Sequence, residues 1–222
     1  MSGIEMFSAD REDVQSSKFK SYKGKEGVTD RVGLIFTDEM YNNGKKIYCG
    51  TKIHYEAVNK KYFICKSTKE DKQVCCTASY AGNRPKWRFG AVLVVYDIQI
   101  KEGKPKLNGY QLLPWVFGEG TYNTLREVDS EFPLISHDIK LKCKNEDFQN
   151  MEILSCNDSI WRKNTELQKK ILTEYPNVLE DTKRNLGRDL NIEEIREILG
   201  LEAPGSKDAA SDVSIGDVLS DV

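Results

Sequence analysis

The sequence lacks any long apolar run, which argues against a helical membrane anchor. None of its hydrophobic stretches approaches the roughly 18 residues that a membrane-spanning helix needs. The first residues, MSGIEMFSADREDVQ, include acidic side chains where a secretory signal has a basic stretch and then an apolar one. The sequence therefore predicts a cytoplasmic protein.

Histidine is scarce, and the usual catalytic signatures are missing. The chain has two histidines and contains no Walker loop, no G-x-S-x-G and no HExxH. His54-Tyr55-Glu56 matches the H-x-E half of zinc deaminases, but the P-C-x-x-C half is absent. Six cysteines without a secretory signal indicate thiols or metal ligands rather than disulfides. These features favour a protein that is not an enzyme.

Charge and aromatic residues are unevenly distributed along the 222 residues, which suffice for one globular domain with appendages. Residues 1–157 hold 24 Lys and Arg against 21 Asp and Glu, residues 158–202 hold 8 against 10, and residues 203–222 hold one lysine against four aspartates. Only Trp161 and Tyr175 among the aromatic residues lie beyond residue 157. The function has to explain a mildly basic, aromatic-rich body with an acidic tail.

The body, residues 27–157, is predicted to be mainly β. Eight short segments rich in β-branched and aromatic residues alternate with turn signals such as NNGKK and EGKPKLNG. The predicted strands are VTDRVGLIF, KKIYCGTKIHYEAV, KKYFIC, VCCTASY, WRFGAVLVVYDIQI, GYQLLPWVF, HDIKLKC and FQNMEIL. One helix is expected before Pro133, because apolar residues recur there at helical spacing. These residues are Tyr122, Leu125, Val128 and Phe132. Strands, one helix and further strands suit the five-stranded Greek-key barrel called the OB-fold, although a mixed sheet with one covering helix would give the same linear pattern.

The two ends of the chain differ from the body. Residues 1–26 include the lysine-rich stretch SSKFKSYKGKEG and are expected to form a flexible basic arm. Residues 158–202 are predicted to form amphipathic helices on the body, the first of them interrupted at Pro176. The acidic tail, residues 203–222, is expected to be disordered alone. Its apolar residues alternate with aspartates, which favours docking on a partner protein.

One histidine and four cysteines lie close together at about residues 46–82. Imidazole and thiolate groups in one cluster suggest a structural tetrahedral zinc site in a small inserted subdomain. The candidate ligands are His54, Cys65, Cys75 and Cys76, with Cys49 nearby. Adjacent cysteines on a regular strand point to opposite faces, so both Cys75 and Cys76 bind one ion only where the backbone turns sharply. The alternative is that some of these cysteines are buried apolar residues.

Aromatic and basic residues are interleaved after the cysteine cluster. Binding of single-stranded nucleic acid needs cations for the phosphates and flat side chains for the bases. The three cations between Arg84 and Phe89 are difficult to bury, which favours a surface position for this segment. The candidate binding residues are Tyr80, Arg84, Lys86, Trp87, Arg88, Phe89, Trp115, Tyr122 and Phe148.

This residue order resembles the single-stranded-DNA-binding proteins of T-even-like bacteriophages. The likeness covers about residues 28–160 and lies in His54, KKYFIC, VCC and RPKWRFGAVLVVYD, then more weakly in WVFGEGTY and DIKLKCKNEDF. The resemblance implies an OB-fold core with an inserted zinc subdomain. It also implies non-catalytic coating of single-stranded DNA during phage replication, recombination and repair in an infected bacterial cell.

The resemblance also assigns roles to single positions and to the chain ends. Arg84 matches a phosphate-contacting arginine, and the aromatic matches in or near the cleft are Trp115, Tyr122 and Phe148. The metal ligands would be His54, Cys65 and one or both of Cys75 and Cys76. The arm would mediate self-association along the strand, and the acidic tail would recruit replication proteins. Two other hypotheses stay open: a protein-interaction adaptor with a structural zinc site that never touches DNA, and a zinc enzyme acting on nucleobases.

Overall fold

The computed structural model describes residues 20–42, 49–56, 61–67, 84–144 and 151–199. The strands and helices in chain order are β1 (Thr29–Leu34), α1 (Asp38–Asn42), β2 (Cys49–Glu56), β3 (Lys61–Ile64), β4 (Lys86–Lys101), β5 (Lys104–Gly118), α2 (Glu119–Glu131), β6 (Ile139–Cys143), β7 (Met151–Ser155), α3 (Ile160–Lys163), α4 (Thr165–Leu186) and α5 (Ile192–Ile198). Each of the seven strands overlaps a predicted strand segment, and α2 lies before Pro133 as predicted. Two details differ: β5 begins at Lys104, inside the predicted turn EGKPKLNG, and the short helix α1 was not predicted. The eighth predicted strand, VCCTASY, lies outside the described residues.

The strands form one antiparallel sheet organised around the long strand β4. One edge of β4 pairs with β5, and the other edge pairs first with β2 and then with β1. β3 extends β2, whereas β6 and β7 extend β1. The β4–β5 hairpin turns at Glu102 and Gly103, with φ angles of 53° and 72°.

The mainly-β class with carboxy-terminal helices is confirmed, but the described strands do not close into a five-stranded barrel. The ribbon β2–β3 and the ribbon β1–β6–β7 leave the same edge of β4 separately. Within the described residues, no strand pair joins the outer edges of these ribbons, so the sheet is open.

Helices cover both faces of this sheet. Side chains alternate along a strand, so Phe89, Ala91 and Leu93 of β4 share what we call the front face, and they form a core with Leu125 of α2. On the opposite, back face, other β4 residues pack on α4, and this cluster includes Val92, Val94, Tyr96, Ile171, Tyr175 and Val178. None of the helices in the described ranges combines the length and the apolar character needed to cross a membrane.

Helix α4 continues through Pro176, so the predicted interruption is wrong. The helix has 22 residues with the proline inside it. A proline in a helix interior removes one hydrogen bond and costs about 3 kcal/mol. Its neighbours Tyr175 and Val178 are buried against the sheet, and this packing outweighs the local cost.

Part of the predicted arm also packs on the body. Tyr22 is buried, its backbone N–H donates to the carbonyl of Pro114 at 2.7 Å, and its hydroxyl donates to Asp30 at 2.9 Å. Residues 20–26 therefore belong to the described fold rather than to a free arm. The rest of the arm and the acidic tail lie outside the described residues.

A buried carboxylate joins the sheet to the carboxy-terminal helices. Asp138 is fully buried and accepts hydrogen bonds from the Tyr96 hydroxyl at 3.2 Å, the Ile160 backbone N–H at 2.9 Å and Arg31 Nε at 3.2 Å. Burial raises the pKa of Asp138 above the usual carboxyl value. Burial alone would lower the pKa of Arg31, but a hydrogen bond to Asp158 and the charge of Asp138 outweigh it and raise that pKa. This network connects β1, β4 and β6 to the start of α3.

Candidate functional site

Three nearly parallel rings lie in a row on the front face where β4 begins. Trp87 stacks on Phe89 with 5.9 Å between ring centroids and 18° between planes, and Phe89 stacks on Tyr122 of α2 at 4.1 Å and 3°. Trp87 is 41% exposed, Phe89 is only 8% exposed, and Tyr122 is half-buried. We call Trp87, Phe89 and Tyr122 the front aromatic row. The exposed end of this row is the Trp87 ring, which stacks on the buried Phe89 ring.

Strand β2 makes room for this row with a glycine. The strand register places Gly50 opposite Phe89 and Lys52 opposite Trp87. A Cβ atom on Gly50 would lie 2.8 Å from the Phe89 ring, closer than real side chains approach. Gly50 thus leaves room for the Phe89 ring against β2, while the strand register places Trp87 beside Lys52.

Five cations surround the row and the strand that carries it. Lys52 lies 5.6 Å from the centroid of the Trp87 ring, and the Arg126 guanidinium lies 5.9 Å from that of Tyr122. The other three are Arg84, Lys86 and Arg88. Within the described ranges, no carboxylate lies in ion-pair distance of any of the five. Their positive charge is therefore available to an anionic ligand.

A pocket of about 500 Å³ opens beside the row, where β4, β5 and the start of α2 meet. Its volume is within the range of small-molecule sites. Aromatic and basic side chains form much of its lining. The lining includes Tyr62, Lys86, Trp87, Arg88, Trp115, Thr121 and Met151. The arrangement combines flat surfaces for stacking with cations for phosphate groups.

Two of the predicted aromatic binding residues are instead core residues. Trp115 is 2% exposed and packs on Phe117 at 4.4 Å and edge-on to Tyr22 at 6.4 Å, although it borders the pocket. Phe89 supports its neighbours and has almost no exposed surface. Strand alternation directs both side chains to the core face of the sheet. Burial of such large apolar rings stabilises the fold.

The other predicted binding residues fall into three groups. Trp87 and Tyr122 reach the surface in the front aromatic row. Arg84, Lys86 and Arg88 lie at or beside the start of β4, with Lys86 and Arg88 lining the pocket. Tyr80 and Phe148 lie outside the described residues.

Two of the four predicted zinc ligands lie on the same face of the β2–β3 ribbon. His54 pairs with Phe63, and the Cys65 backbone N–H donates to the Lys52 carbonyl at 2.9 Å, so Cys65 is a diagonal neighbour of His54. His54 is fully buried and stacks on Phe63 at 5.3 Å. Within the described part of the chain, no three potential metal ligands form a group. Cys75 and Cys76 are outside that part.

Cys49 lies on the other face and behaves as a structural thiol. Its Sγ donates to the Gly90 carbonyl at 3.3 Å. Burial raises the pKa of the Cys49 thiol, which disfavours the thiolate that a metal requires. The His54 and Cys65 pair is thus the part of the predicted zinc site that the described fold brings together.

Sequence reasoning missed four residues of this region. Lys52 and Arg126 contact the front aromatic row, while Tyr55 and Tyr62 lie on the back face of β2 and β3. Strand alternation in KIHYE assigns Lys52 and Tyr55 to opposite faces, but only the pairing with β4 places Lys52 against Trp87.

Comparison with protein-family models and with curated proteins finds no match for this chain. The function has to be inferred from the site itself.

Proposed function

We propose that this protein binds single-stranded DNA with little sequence preference. The observation that carries the proposal is the exposed Trp87 ring, which stacks on Phe89, lies beside Lys52 and is near other cations that have no carboxylate partner within the described residues. Every base has a flat face, so stacking on Trp87 tolerates any sequence, and the cations neutralise the phosphates. Such binding needs no catalytic group, and the proposal is of a binding protein rather than an enzyme.

The wider role in this proposal comes from the resemblance to the phage proteins. The protein would coat and protect single strands during phage DNA replication, recombination and repair, in the cytoplasm of the infected bacterial cell. The arm would support self-association along the strand, and the acidic tail would recruit replication proteins. An OB-fold relationship is part of the same proposal. The binding itself requires only exposed rings and cations, which an open sheet supplies.

The affinity for oligothymidine is expected to fall steeply as salt concentration rises. Each neutralised phosphate of a single strand contributes a slope of about −0.7 to log K against log salt, so three or more contacts give a slope of about −2 or steeper. The measurement is fluorescence anisotropy of a labelled oligonucleotide at several salt concentrations. Duplex DNA is expected to bind more weakly, because its bases are not available for stacking.

Charge-removing variants identify the cations that take part in this binding. Lys52→Ala and Lys86→Ala are each expected to make the slope less steep by about 0.7. Lys104→Ala is the matched control, because Lys104 is the exposed first residue of β5 at the β4–β5 hairpin, at the opposite end of β4 from Trp87. A salt-independent affinity, or equal slopes for all three variants, would contradict the electrostatic part of the proposal.

We further propose a structural zinc ion held by His54, Cys65 and one or both of Cys75 and Cys76. The fold supports this only through the first two, which share one face of the β2–β3 ribbon. Zinc bound there would link the ribbon to the segment that follows it. We expect about one zinc per chain in protein purified without added metal, and loss of thermal stability on chelation. If metal-free protein had unchanged stability, these cysteines would be apolar packing residues rather than zinc ligands.

A further inference from the structure

The back face of the sheet carries a second aromatic group, which the front aromatic row does not use. Tyr55 of β2 and Tyr62 of β3 are directly opposite each other in the register, and their ring centroids are 5.1 Å apart. They are 42% and 39% exposed, close to the value for Trp87. Two neighbouring exposed aromatic rings on a strand pair are unusual in a surface that only faces solvent.

Arg88 extends this tyrosine pair. Its guanidinium lies 4.1 Å from the centroid of the Tyr62 ring, which is a stacking contact. The Arg88 side chain is partly buried, and this burial lowers its pKa. In the described residues the guanidinium has neither a carboxylate nor a hydrogen-bond acceptor, whereas the partly buried Arg31 and Arg162 are each paired with an aspartate.

A partly desolvated cation without an anionic partner is an unfavourable arrangement that an anionic ligand would relieve. The guanidinium is planar and binds a phosphate group through two parallel hydrogen bonds while its face stays on an aromatic ring. Arg88 stacked on Tyr62 therefore offers a phosphate contact next to an aromatic surface. This is the same combination that surrounds Trp87 on the front face.

The pocket connects the two faces. Trp87 and Arg88 are consecutive residues whose side chains alternate to the front and the back of β4, and both line the pocket. Tyr62 lines it as well. The pocket is thus bordered by the end of the front aromatic row and by the Arg88–Tyr62 stack.

We infer that Arg88, Tyr62 and Tyr55 form a second nucleotide-binding site, which continues the path of the single strand from the front face to the back face. In this arrangement, which rests on the proposed function, Trp87 stacks on one base, Arg88 binds a phosphate near the pocket, and the tyrosine pair stacks on a base further along the strand. The DNA strand would then contact both faces of the sheet at the start of β4, rather than the front face alone.

Thymidine strands of increasing length, from two to about 16 nucleotides, test this inference, because the shortest strand is expected to occupy only the Trp87 site and the long strands both sites. Tyr62→Leu is expected to weaken binding of the long oligonucleotides by about fivefold or more and to leave the shortest unchanged. Arg88→Gln is expected to remove about 0.7 from the salt slope for long strands only. Phe132→Leu, at an equally exposed aromatic on the carboxy-terminal side of α2, is the matched control and is expected to change neither.

The outcomes separate this inference from the proposed function. If wild-type protein binds and Trp87→Leu weakens binding while Tyr62→Leu does not, the second site is wrong and the proposed function stands. If Tyr62→Leu lowers the affinity equally for oligothymidines of every length, the second site is also wrong, because Tyr62 would then belong to the first site. Absence of wild-type binding overturns both. Tyr55→Leu repeats the length series at a second position, and far-UV circular dichroism checks that each variant is folded.

Discussion

Replacing Trp87 with leucine is expected to weaken oligothymidine binding by about five- to a hundredfold. Stacking of one base on an aromatic side chain contributes about 1–3 kcal/mol, and leucine has no flat ring. Trp87 is 41% exposed, so its removal leaves the core almost intact. The measurement is an anisotropy titration of the variant and wild-type protein at one fixed low salt concentration, together with a thermal melt.

The control for this substitution is another exposed aromatic residue. Phe132 is 43% exposed, lies at the carboxy-terminal end of α2, contacts the His137 ring edge-on and does not line the pocket beside Trp87. Phe132→Leu removes a similar exposed ring and is expected to bind DNA as wild type does. Equal affinities for Trp87→Leu, Phe132→Leu and wild type would show that the front aromatic row does not contact bases.

Replacing Asp138 with alanine is expected to destabilise the fold by about 3–5 kcal/mol. The change leaves the Tyr96 hydroxyl and the Ile160 N–H buried without their acceptor, and it removes one of the two carboxylates bound to Arg31. A loss of this size is a large part of the stability of a typical domain. Urea unfolding followed by circular dichroism measures it.

Two further variants show whether burial causes this effect. Asp158 also binds Arg31, at 2.6 Å, but its side chain is 37% exposed. Asp158→Ala is therefore expected to cost less than about 1 kcal/mol, since exposed ion pairs contribute little. Asp138→Asn keeps the size and one acceptor oxygen, and its cost is expected to lie between those of the two alanine variants. Similar losses for Asp138→Ala and Asp158→Ala would contradict the importance of the buried network.

The same carboxyl predicts a pH dependence. Burial raises the pKa of Asp138, so the folded protein holds its proton more tightly than the unfolded chain does. The stability that this group contributes is therefore present below the ordinary carboxyl pKa, and it is lost as the pH rises through the raised folded-state pKa. We expect Asp138→Asn to lack this part of the pH profile in unfolding experiments.

Local patterns predicted most of the secondary structure. β4 is a long run rich in β-branched and aromatic residues, and the helical spacing before Pro133 predicted α2, where Leu125 is buried. The failure at Pro176 has a physical cause, because a local helix-breaking preference was outweighed by the burial of Tyr175 and Val178. That burial depends on the sheet, which a local window does not contain.

The open sheet was not predictable in the same way. Which strands share the edge of β4 depends on contacts between residues far apart in the chain, such as Val32 with Val95 and Lys52 with Trp87. A barrel and an open sheet can have the same order of strands. The sequence therefore supported the mainly-β class but not the closure.

The candidate site was predicted in composition but not in arrangement. The segment from Arg84 to Phe89 was identified through its density of cations beside rings, and the structure places it at the pocket. Strand alternation separates Trp87 from Arg88, so the candidate residues of this segment are divided between two faces of the sheet. The rings that complete each face, Tyr122 and Tyr62, come from α2 and β3 and reach β4 only through tertiary packing.

Photo-cross-linking to a single-stranded oligonucleotide containing halogenated uracil, mapped by mass spectrometry, tests the central claim most directly. The proposal that the exposed end of the front aromatic row stacks on bases predicts a cross-link at Trp87 that unlabelled oligothymidine competes away and that Trp87→Leu abolishes. Cross-links that map only to residues remote from the pocket, with none at Trp87, would contradict it.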